Sequence, residues 1–97
     1  MMVDLQQSIL NRARQGYQKS IINYRQGGYR QKEADVLLML AKLESEHGAQ
    51  ERAILALRAA EEALAQMGGP KEGAAESLSQ RIEAGWKPYE EMRRKPR

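Results

Sequence analysis

Leu5, Ile9, Ala13, Tyr17, Ile21 and Tyr24 follow one another at spacings of three and four. At about 100° per residue this gathers them on one stripe and predicts a first helix. Gly27 and Gly28 should end it, because glycine adopts the positive-φ conformation of a helix C-terminus at little cost. In the next segment Val36 to Leu40 is apolar without a break, so that helix shows hydrophobic surface in nearly every direction and should be packed on two sides. Gly48 stands where it should stop. A third stripe runs through Ala53, Ala56, Leu57, Ala60, Ala63, Leu64 and Met67, and its alanines allow a close helix-helix approach. After Gly68-Gly69-Pro70 a fourth stripe, Ala75, Leu78, Ile82, Trp86, Tyr89 and Met92, passes Gly85 and Pro88. An internal proline removes a helical hydrogen bond, which predicts a kink or break near 85–88.

This reads as an all-α fold of four antiparallel helices in a single domain. The expected parts are a basic N-terminal helix at 1–28, a helical hairpin at 34–67, a kinked C-terminal helix at 70–92 and a frayed basic tail at 93–97. Composition agrees: threonine and phenylalanine are absent, while Ala, Leu, Glu, Gln, Arg and Lys dominate. The 97 residues suffice for one thin core. There is no cysteine, no eighteen-residue apolar run and no basic-then-apolar start, which leads to the expectation of a cytoplasmic protein without membrane contact.

Charge is segregated along the chain. Residues 1–32 hold six Lys/Arg against Asp4, residues 33–67 hold three against seven acids, and residues 68–97 hold seven against five. The acidic middle is therefore a candidate partner for the basic start, within the chain or across a dimer.

Little in the sequence resembles catalytic chemistry. His47, the single histidine, follows Glu44 at helical spacing, but a carboxylate-bridged metal site in a bundle needs two such pairs. A histidine in the last turn of a helix can instead bond a free carbonyl there. The serines lack any other histidine to act as base, and the glycines form no phosphate-binding loop. Neither enzymatic activity nor a cofactor is expected.

The run Leu37-x2-Leu40-Ala41-x2-Glu44, followed by Gly48, Ala53-x3-Leu57 and Ala60, resembles one tetratricopeptide repeat over residues 34–67. It departs from that family at Leu37 and Leu57, where aromatics are usual, and at Glu44, where tyrosine is usual. No second repeat is visible in register. The resemblance implies a helical hairpin with capping helices on either side, and a binding surface on its first helix at Asp35, Leu38, Met39, Lys42 and Glu46. Apolar in the centre and charged at the edges, these residues suit an amphipathic helix or an apolar extended segment of a protein partner. Leu38 and Met39 could equally be covered by the first helix.

A nucleic-acid reading rests on Arg12, Arg14, Lys19 and Arg25, which flank the first apolar stripe, together with tyrosines able to stack on bases. A structural homo-oligomer is a third reading. Trp86 shares a stripe with Ile82 and Tyr89, and this periodicity favours a core position over an exposed anchor. The leading expectation is a small interaction module: an adaptor, an assembly factor or a chaperone.

Overall fold

The computed structural model describes residues 2–67 and 74–94. It is all-α: α1 spans Met2–Gly27, α2 Arg30–Glu46, α3 Gln50–Gln66 and α4 Ala74–Trp86, with a 3-10 turn at Lys87–Tyr89 leading into a short α5 at Glu90–Arg94. Pro70 and residues 95–97 lie outside the described part. The α4 helix ends at Trp86, one residue before the turn that holds Pro88, so the interruption expected at 85–88 is present. No helix among the described residues is long and apolar enough to cross a membrane.

Both predicted glycine stops work by the same geometry. Gly28 and Gly48 have φ of 78° and 73°, in the left-handed region. Beyond them, the Tyr29 amide reaches back to the Tyr24 carbonyl at 2.9 Å, and the Ala49 amide to that of Glu44 at 2.8 Å. These backward bonds satisfy carbonyls left free at a helix end and turn the chain sharply. With so few residues between helices, α1 must run antiparallel to α2, and α2 to α3. The hairpin begins at Arg30, four residues before the expected Ala34.

The α2 helix is the centre of the molecule, packing against α1, α3 and α4. Its side toward α3 is closed by small residues: Ala34 and Ala41 share one buried core with Ala53 and Ala60. The α4 helix lies across the α2–α3 pair and buries Leu78, Ile82 and Trp86, each 2% exposed or less. A Cβ built on Gly85 would stand 2.7 Å from the Leu57 side chain, so glycine is what lets α4 come this close to α3.

Trp86 is a core residue, as its periodicity predicted. The guanidinium groups of Arg58 and Arg93 stack on its ring at 5.4 and 5.1 Å. Arg93 also pairs with Glu61 and, at 2.6 Å, with Glu83. Its hydrogen bond to Glu83 holds that carboxyl below the ordinary glutamate range and raises the already high value of Arg93. The expected basic tail at 93–97 is therefore corrected at its first residue: Arg93 is fixed by an aromatic face and two carboxylates.

The α1 stripe is only partly buried. Ile21 is core and Tyr17 packs on it, but Leu5 and Ile9 are each 62% exposed. With 26 residues against 17 in α2, α1 runs about 13 Å past the helix it packs on. Leu10 is nonetheless buried, so it is the angle round the helix that leaves Leu5 and Ile9 in solvent.

Candidate interaction surfaces on α2 and its neighbours

Two buried carboxylates pin α1 to α2. Glu44 is 1% exposed, and Arg14 donates to both of its oxygens at 2.7 to 3.0 Å. Glu33 is 3% exposed and receives Arg25 and Arg30, each at 2.9 Å. A carboxylate this deep is tolerable only when its oxygens are bonded, and a planar guanidinium satisfies two at once. The acidic middle of the chain thus neutralises part of its basic start within one molecule. Of the four cations considered for nucleic acid, Arg14 and Arg25 are engaged in this way, while Arg12 and Lys19 face outward.

The glutamate that departs from the repeat pattern has a physical role here: Glu44 is the anchor of α1. His47 does what its position suggested, its Nδ1 standing 2.9 Å from the Leu43 carbonyl in the last turn of α2.

Asp35, Met39, Lys42 and Glu46 lie on the strip of α2 left uncovered by its three neighbours, with Met39 48% exposed. Leu38 is different. It is buried under α4 rather than under α1, and it lines a recess of about 450 Å³ between α2 and α4. Ala41, Leu57 and Gly85 form the apolar part of that recess, and Lys42, Ser45 and Arg81 the polar part. Arg81 pairs with Asp35 at the rim, and the Ser45 and Tyr89 hydroxyls are bonded at 2.6 Å.

Comparison with protein-family models, with curated proteins and with solved structures gives no match.

The site therefore stands on its own geometry. Sequence reasoning placed one cation, Lys42, on this surface and missed Arg81, which arrives from α4, 46 residues after the Asp35 it pairs with. The unbroken Arg81-Ile82 step of the fourth stripe was the available signal, since the residue beside a core position lies on its flank. Among the described residues, no group of three or more His, Asp or Glu side chains is gathered as a metal site would require.

Proposed function

We propose that this chain is a small helical protein-protein interaction module that binds an apolar or amphipathic segment of a partner along α2 and its recess with α4. The observation that carries this reading is the recess itself, with a floor of Leu38, Ala41 and Leu57 beside half-exposed Met39. Charges stand only at the edges, where Lys42 and the Asp35–Arg81 pair can set orientation and encounter rate. An apolar centre with a polar rim is the usual anatomy of a transient protein interface.

The alanine-lined α2–α3 pair supports reading this unit as a single tetratricopeptide-like hairpin, with α1 and α4 covering faces that one repeat cannot bury alone. Binding rather than catalysis is the role we assign to it.

The test is isolation of the tagged full chain from its native cell, with identification of what accompanies it. A stoichiometric protein is expected, lost in the Met39→Asp and Lys42→Glu variants while far-ultraviolet circular dichroism is unchanged. Retention of that protein by both variants, or recovery of nucleic acid in its place, contradicts the reading.

A further inference from the structure

A second surface lies on the opposite side of α2. The α1 and α3 helices both pack on α2 but scarcely touch each other, so they stand as two walls of a notch whose floor is α2. Leu37 and Leu40 form that floor, 4% and 6% exposed. Ile22 on one wall and Leu55 on the other are 50% and 58% exposed, two large aliphatic side chains turned into the same opening. Isolated exposed aliphatics need no explanation, but a facing pair over a leucine floor marks an unfilled apolar contact.

The dimensions decide what kind of ligand fits. The hollow at the bottom measures about 220 Å³. Small-molecule pockets are roughly 300–1,000 Å³ and enclosed, so this hollow suits one or two anchoring side chains of something larger. The walls are helices with a third helix beneath them, and a rod of the same diameter laid between them packs ridge into groove on both.

Charge then selects the face of that rod. Three charged residues line the notch: Arg25, Arg52 and Glu44. Glu44 is buried and saturated by Arg14, so it presents no negative charge to an incoming partner. Arg25 is already bonded to Glu33, whereas Arg52 is exposed with no ion pair among the described residues. The accessible charge is cationic.

We propose that the α1–α3 notch docks an amphipathic helix of another protein, one that carries carboxylates beside its apolar stripe. Its aliphatic side chains pack between Ile22 and Leu55, and its acids meet Arg52. This surface is separate from the α2–α4 recess and stands or falls independently of it.

The experiment uses the full chain and a labelled helical peptide of about 18 residues, enough to run the length of α3. The peptide has leucines at i, i+3, i+4 and i+7 flanked by glutamates, and a matched peptide carries lysines in their place. Fluorescence anisotropy is expected to show saturable binding of the glutamate peptide and weaker binding of the lysine peptide. Leu55→Asp should weaken the glutamate peptide about tenfold or more, the effect of losing a central anchor. Arg52→Glu should weaken it about two- to fivefold, as a rim ion pair does, and improve the lysine peptide. Gln80→Asp, at an exposed position of α4 that lines neither surface, should change neither. Both notch positions are exposed, so circular dichroism of the variants should match that of the parent. Equal binding of the two peptides, or indifference to Leu55→Asp, overturns the proposal. So does a dimer of the chain by sedimentation that becomes monomeric on Leu55→Asp, which would make a second copy the occupant.

Discussion

The two helices that flank α2 are held in different ways. The α4 helix is attached by burial: Leu78, Ile82 and Trp86 vanish into the core, and at Gly85 any larger residue would force the Leu57 side chain to shift. The α1 helix is attached by charge, through Arg14 on Glu44 and Arg25 on Glu33, with Ile21 as its main apolar contribution to the core. Apolar burial is non-directional and stabilises in proportion to area. A buried ion pair adds little net stability but punishes loss of one partner severely. One flank is thus continuous with the core, whereas the other is positioned by a few exact contacts. That second arrangement is what keeps the α1–α3 notch open: two pairs fix α1 on α2 while α1 and α3 scarcely touch.

Substitutions should separate the two modes. Trp86→Ala removes the largest fully buried side chain and the surface on which Arg58 and Arg93 stack, so it should cost about 3–5 kcal/mol by chemical denaturation. That loss should be global, because α2, α3 and α4 share one core. Glu44→Gln keeps the shape but leaves the Arg14 charge uncompensated, at a cost of about 3 kcal/mol confined to the docking of α1. Combining Arg14→Met with Glu44→Leu should recover most of that loss, since an apolar pair of similar size replaces a buried ion pair at little cost. If the double variant is no better than the single one, the pair contributes more than charge compensation.

Smaller effects should follow at the more exposed pairs. Glu33→Gln should cost about 1 kcal/mol, because Arg25 and Arg30 retain access to water when their carboxylate is lost. The smallest effect concerns Glu83, whose carboxyl is held below its ordinary value by Arg93. Its contribution is fully present above the ordinary glutamate range and fades as pH falls through the lowered value. Between those limits, the stability of Glu83→Gln relative to the parent should rise as pH falls. A difference that does not vary across that acid range would remove Glu83 from the account.

Much of the fold was legible because helix periodicity and glycine punctuation act locally. Gly28 and Gly48 end their helices where they stand, the unbroken apolar centre of α2 does meet neighbours on several sides, and Trp86 is buried with the stripe it belongs to. What escaped depends on distance along the chain. Steps of four drift by about 40° each, so Leu5 and Ile9 sit well round the helix from Ile21 and stay exposed, while Leu10, nearer the angle of Ile21, is buried. The charge totals of the segments foretold that acids and bases could meet. They could not say that Glu44 takes Arg14, 30 residues away, or that Arg81 closes the rim of the α2–α4 recess. Arg93 looked like part of a charged tail because its partners, Trp86, Glu61 and Glu83, are brought to it by the turn at Lys87–Tyr89.

Native-state hydrogen exchange on the parent and on Glu44→Gln tests most directly whether α1 is a separately held element on a hydrophobic α2–α3–α4 unit. Protection of the α1 amides around Tyr17 and Ile21 should fall about a hundredfold in the variant, matching a loss of about 3 kcal/mol, while the α3 amides around Leu57 keep theirs. Equal loss of protection in α1 and α3 would mean that the four helices open as one unit and would contradict the account.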